Sequence, residues 1–101
     1  MEEKIMQNLL LLNFNLASKG FKYWINAIEY VQDFEIEFTN MEEIYVHISK
    51  IHNVTKGSVE RAMRHCSKDA HENIRIYFKY KGKISQKTIL ELLLLMNNKE
   101  E

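Results

Sequence analysis

In the stretch VERAMRHCSK, Val59–Lys68, four basic side chains follow at spacings of three, one and three residues: Arg61, Arg64, His65 and Lys68. At 100° per residue such positions share one face of a helix. Guanidinium groups in that arrangement suit a polyanion, because arginine forks onto phosphate and onto the O6 and N7 atoms of guanine. The plainer reading is a solvated helix whose arginines pair with Glu60 and Asp69. Upstream, Thr55, Gly57 and Ser58 are small, and at a helix start the free N–H groups and the dipole favour a phosphate. The set predicts a division of labour on a DNA duplex. Ser58, Glu60 and Arg61 would read bases, with Glu60 accepting from a cytosine amino group. Thr55, Lys56, Gly57, Arg64, His65 and Lys68 would hold the backbone, and Lys79, Lys81 and Lys83 would be further backbone contacts.

Other chemistries find less support. His47, His52, His65, Cys66 and His71 lie near one another in sequence but not at a paired CxxC or HExxH spacing, so no metal site is expected. There is no nucleophile elbow, glycine-rich phosphate loop or carboxylate pair, so neither an enzyme nor a cofactor is expected. Trp24 and the tyrosines can serve single strands as stacking platforms, but their helical spacing points to core.

Formal net charge is zero, yet its distribution is polar. Through Ser49 there are three lysines against eight carboxylates; from Lys50 to Lys87 there are ten basic residues against three acids. The basic half can meet an anionic partner while the whole stays neutral. One cysteine excludes an internal disulfide and points to a reducing, cytoplasmic setting. The acidic first residues do not read as a signal peptide, and the leucine runs at Leu9–Leu12 and Leu92–Leu95 are too short to span a bilayer.

The elements that must position these residues are helical. With 101 residues, 46% hydrophobic and no proline, the chain suits one domain over 1–101. The spacing predicts helices over Glu3–Leu16, ended near Gly20, and over Phe21–Phe34. A third begins at a capping box of Thr39 and Glu42. The fourth runs from Lys56 to about Asn73, with Val59, Ala62, Met63, Cys66, Ala70 and Ile74 on its buried side. A last one, Gln86–Asn97, starts at Ser85. The alternation Ile74, Ile76, Phe78, Tyr80 allows a β-hairpin over 74–85 instead of helix. The fold class is therefore all-α, five to six helices, with a winged helix as alternative.

The third and fourth helices, joined by about three residues, have the layout of a helix-turn-helix. Ser49 is small where the helices cross, Asn53 can turn, and Val54, Val59 and Ala62 bury the second helix. His52 stands where an apolar residue would fit better. In this unit the second helix, 56–72, would enter the major groove.

At these residues the chain resembles the DNA-binding effector domain of the sporulation master response regulator of spore-forming Firmicutes. The stretches KGFKYWINAIEYV and NVTKGSVERAMRHCS are similar to that family's "KGY..L..AI" and "N.T.S.VERAIRHAI", over about Lys19–Ile74. The resemblance implies an all-helical transcription regulator that reads a short DNA box, with two copies in tandem, and places Glu60, Arg61 and His65 near the DNA. Ser58 stands where the family has arginine, which removes one base contact, and Gly57 replaces a phosphate-holding serine. No receiver with its phosphoacceptor aspartate is expected, so control by phosphorylation is not expected to carry over. The expected function is a sequence-specific, sporulation-related DNA-binding regulator with double-stranded DNA as partner. The alternative is a protein-binding antagonist or partner of a related full-length regulator. Homodimers through the leucine-rich terminal helices are a further expectation; no membrane partner is.

Overall fold

The computed structural model describes residues 2–99. Met1, Glu100, Glu101 and the Lys99 side chain lie outside the described residues. Six helices follow in order: α1 Glu2–Leu11, α2 Lys19–Phe34, α3 Glu42–His52, α4 Lys56–Ser67, α5 His71–Phe78 and α6 Gln86–Lys99. A single 3₁₀ turn, Lys68–Ala70, joins α4 to α5. The architecture is all-α, and no strand occurs among the described residues.

At the centre lies α2, packed against α1, α3, α4 and α6. Its Trp24, Ala27 and Ile28 are fully enclosed, with Phe21, Tyr23 and Ile25 beside them, so Trp24 and Tyr23 are core. The Trp24 indole N–H donates to the Met63 carbonyl at 3.0 Å, and Phe14 meets the indole edge-on at 5.6 Å. Both polar and apolar needs of the one tryptophan are thus met by the core.

Chain reversals rest on left-handed residues. Asn13, Glu35, Asn53 and Lys79 have φ of 71°, 51°, 55° and 53°. After α1, the Phe14 N–H reaches the Leu9 carbonyl and the Asn13 N–H the Leu10 carbonyl, both at 3.0 Å, the bond pattern of a Schellman motif. This overturns the expected helix to Leu16. The cause is Phe14: only a reversal after Leu12 lets its ring swing back into the core, where it is buried. Leu11, at the end of α1, and Leu16, beyond it, are left about 60% exposed.

Gly20 does not terminate α1. It sits in the first turn of α2, whose N-cap is Ser18. A Cβ at Gly20 would stand 2.1 Å from the Ala62 carbonyl oxygen and 2.7 Å from Cys66 Cβ. Glycine is therefore required for α2 and α4 to cross. The capping box at Thr39 does not form either. The N-cap of α3 is Met41, which has no side-chain cap, and Asn40 Oδ1 accepts from the Glu42 N–H at 2.8 Å. Burial of the Met41 side chain outweighs the capping preference of Thr39.

The expected fourth helix is split at Ser67. That serine is buried, and its hydroxyl donates to the Arg64 carbonyl at 3.3 Å, a local bond that competes with helix continuation. The β-hairpin alternative over 74–85 is overturned: Ile74–Phe78 belong to α5, and Ile74 alone of the alternating set is buried, with Ile76 exposed. Arg75 then donates to the Gly82 carbonyl at 2.9 Å and shapes the loop into α6. Ser85 starts α6 as expected, its hydroxyl oxygen accepting from the Thr88 N–H at 3.2 Å. The terminal helices pack on each other, and Asn8 Nδ2 donates to Asn97 Oδ1 at 3.3 Å. Leu9, Leu90 and Leu93 are buried in this way, while Leu10, Leu11 and Leu95 stay exposed.

Candidate nucleic-acid interface

The unit α3–turn–α4 is set by three residues. Asn53 takes the left-handed conformation that asparagine tolerates better than most residues, and its N–H caps the Ser49 carbonyl. The Val54 N–H reaches the same carbonyl at 3.1 Å. Thr55 returns to extended backbone, and its Oγ1 accepts from the Ser58 N–H at 3.1 Å as the N-cap of α4. The same hydroxyl donates to Ser58 Oγ at 2.9 Å. The N–H groups of Lys56 and Gly57, in the first turn, have no acceptor within the helix and point outward from its start.

One side of α4 is anchored. Val59, Met63 and Cys66 are fully buried. The Cys66 thiol donates to the Asn15 carbonyl at 3.4 Å, and burial pushes its pKa up to about 11. Val54 departs from expectation: it is 38% exposed, because the left-handed step at Asn53 turns the chain outward before α4 begins. His52, the misfit, is held by a 2.7 Å hydrogen bond to Asn26 and by Tyr23, whose ring centroid lies 4.9 Å away. A polar ring at that position is satisfied by neighbours on α2 that no spacing rule reveals.

On the other side Arg61, Arg64, His65 and Lys68 are all exposed. Together they line one shallow hollow of about 430 Å³. The Arg61 guanidinium folds back towards the start of α4: its Nη1 lies 3.5 Å from the point where a Gly57 Cβ would stand. Helical side chains lean towards the N-terminus, and here that lean carries the cation to the end with the open N–H groups. Arg64 pairs with Glu60 one turn earlier. Lys56 pairs with Glu42 at the start of α3. The Lys56–Glu42 pair is largely solvated and the Arg64–Glu60 pair partly so, and solvated pairs contribute ~1 kcal/mol or less.

Glu60 does more than hold Arg64. Gln86 Nε2 donates to its carbonyl at 3.1 Å and to its carboxylate at 3.3 Å, and the Tyr45 hydroxyl donates to Gln86 Oε1 at 2.6 Å. This chain of bonds ties the middle of α4 to α3 and to the start of α6. Burial, with the Glu60 carboxylate adding to it, pushes Tyr45 up to about 12, so it stays a hydrogen-bond donor at any physiological pH. Gln86 and Tyr45 were not singled out in the sequence; the only available signal was their capacity to bond along with their place at helix starts and faces.

Lys79, Lys81 and Lys83 are exposed in the loop before α6. Lys83 is three residues from Gln86, so it lies within roughly 11 Å of a residue that touches α4. The hollow on α4 is lined by Arg61, Arg64, His65 and Lys68, and the three loop lysines are not among its lining residues. Ser58 is half-buried beside its cap. Among the described residues no three His, Cys, Asp or Glu side chains gather as a metal site. No helix among them is long and apolar enough to cross a membrane.

No match to the chain is found among curated proteins. A family model described as Sporulation initiation factor Spo0A C terminal does match, over residues 5–93, which runs from α1 into α6 and includes the whole α3–α4 unit. That family consists of DNA-binding effector domains of sporulation and is not a family of enzymes. The chain belongs to the Sporulation initiation factor Spo0A C-terminal family.

Proposed function

We propose that this chain is a sequence-specific DNA-binding regulator of transcription, acting in the cytoplasm as one domain over 1–101, with α4 seated in the major groove of a duplex. The observation that carries the reading is the two-sided character of α4. Val59, Met63 and Cys66 fix the helix to the core, and Arg61, Arg64, His65 and Lys68 face outward as one cationic strip. Arg61 and Ser58 read base edges at the helix start. Glu60 joins them when Arg64 leaves it for a phosphate. Thr55, Lys56, Gly57, Arg64, His65 and Lys68 hold the backbone, the first three at the open helix start, and Lys79, Lys81 and Lys83 add contacts from the flank. Selection from randomised duplexes at moderate salt tests this. Enrichment of one short box is expected; recovery of unenriched sequence would sink the reading.

The second reading is a protein-binding partner or antagonist of a related regulator. Ser58, where the family carries arginine, favours it, as do the exposed Leu10, Leu11 and Leu95. Those leucines also support self-association through α1 and α6, for which sedimentation at rising concentration is the check. Affinity that scarcely changes with salt would favour the protein-binding reading, since counterion release makes DNA affinity fall steeply.

A further inference from the structure

On the far side of the molecule, α1, α2 and the end of α6 enclose a groove of about 830 Å³, within the ~300–1,000 Å³ typical of binding clefts. Its floor is apolar, made by Ile5, Val31, Ile36 and Leu94. Its rim carries Glu29, Asp33 and Glu35, with Lys4 as the one cation among the described lining residues. The ion pairs among the described residues lie elsewhere: Lys22–Glu2, Lys56–Glu42, Arg64–Glu60 and Lys87–Glu91.

The carboxylates sit where the fold itself disfavours them. Asp33 lies in the last turn of α2 and Glu35 is its C-cap, next to the negative end of the helix dipole. That turn contains no basic residue. The Glu29 pKa is raised, by burial first and then by the Glu2 carboxylate, with Asp33 adding and Lys22 opposing. Negative charge is therefore crowded around an apolar trough, and a cationic occupant would relieve it.

The groove is also remote from α4. The helices α2 and α4 cross at Gly20, and Asp33 is thirteen residues further along α2, about 20 Å at the helical rise. Duplex DNA is repelled by such a rim. The cationic strip of a second copy offers arginine, histidine and lysine, with no leucine to fill the floor.

We infer that this groove docks an amphipathic helix of a different protein, one with leucine-like side chains on one face and lysine or arginine along its edges. Such helices seat residues i, i+3, i+4 and i+7 in an apolar groove, and the rim carboxylates select the charge at their flanks. This goes beyond DNA recognition and leaves the α4 face open while the groove is filled.

The test uses the full chain and a fluorescein-labelled helical peptide with leucines at i, i+3, i+4 and i+7 and lysines beside them. Anisotropy is expected to report micromolar binding, with amide shifts confined to α1, α2 and the end of α6. The double substitution Asp33→Lys, Glu35→Lys changes exposed side chains, so circular dichroism should stay unchanged while peptide affinity drops by about tenfold or more. Its binding to duplex DNA is measured separately and should not fall, so failure of the groove and failure of the DNA reading are distinguishable. The inference is overturned if the peptide does not bind, or if a glutamate-for-lysine peptide binds equally. Full affinity in the double variant, or sedimentation showing self-association that the double substitution abolishes, would also overturn it.

Discussion

Arg61 and Lys68 line the same hollow, one on α4 and one just past its end, and their surroundings set different tasks. Arg61 leans over Gly57 towards the helix start, the end that enters a groove in helix-turn-helix units. Replacing it with alanine should relax sequence preference, at ~1–3 kcal/mol of lost discrimination. Lys68 lies beyond the last turn of α4, in the 3₁₀ segment, and Lys68→Ala should weaken binding to all duplexes about evenly. Gel-shift titrations on a preferred box and on unrelated DNA separate the two; equal loss of preference in both variants would refute the division. Cys66 yields a prediction of another kind. Its thiol is raised from an ordinary 9.0 to about 11 by burial. A raised folded-state pKa stabilises below the unfolded value and is lost above it, so this contribution should fade as pH rises from about 9 to about 11. At pH 8 the folded chain should resist alkylation at Cys66 and react promptly once unfolded, as mass spectrometry would show. The cations of the site were legible in the sequence because charge and spacing alone define a helical strip. Glu60's bonds to Gln86 were not, since they depend on how α6 meets α4.

At the level of elements, the crossing of α2 over α4 is the most demanding contact. Gly20→Ala would drive a methyl group into the Ala62 carbonyl. The alanine gains helix propensity, yet the clash should leave a net loss of ~2 kcal/mol or more and lower Tm by roughly 10 °C. Thermal unfolding followed by circular dichroism checks it; an unchanged Tm would mean the helices can part without cost. The helices themselves were legible where apolar spacing is regular, as in α2, α3 and α4. Their ends were less so. Phe14 pulls α1 to an early stop, Met41 displaces the Thr39 cap, and Ser67 breaks the helix expected to reach Asn73. In each case a tertiary contact outweighs a local preference, and local preference is all that spacing records. The stretch from Ile74 to Tyr80 alternates like a strand, but as α5 it buries Ile74 in the core and its helical backbone satisfies its own hydrogen bonds.

At the scale of the whole molecule, charge among the described residues is sorted: carboxylates rim the groove at the end of α2, and cations line the strip on α4. Zero net charge therefore hides a strong dipole, which would orient the molecule as it approaches a duplex. With four to six phosphates neutralised, log affinity should fall with log salt at a slope of about −4 to −5. Fluorescence titrations between low and moderate salt measure it, and a slope near zero would remove the electrostatic basis of DNA binding. The indole of Trp24, bonded to the backbone of α4 at Met63, has a practical consequence. It is the chain's sole tryptophan and is shut away from water, so its emission is an intrinsic optical gauge of whether α4 is seated. Blue-shifted light would mark the seated state, and a red shift would announce release of that helix before any other part of the molecule is tracked.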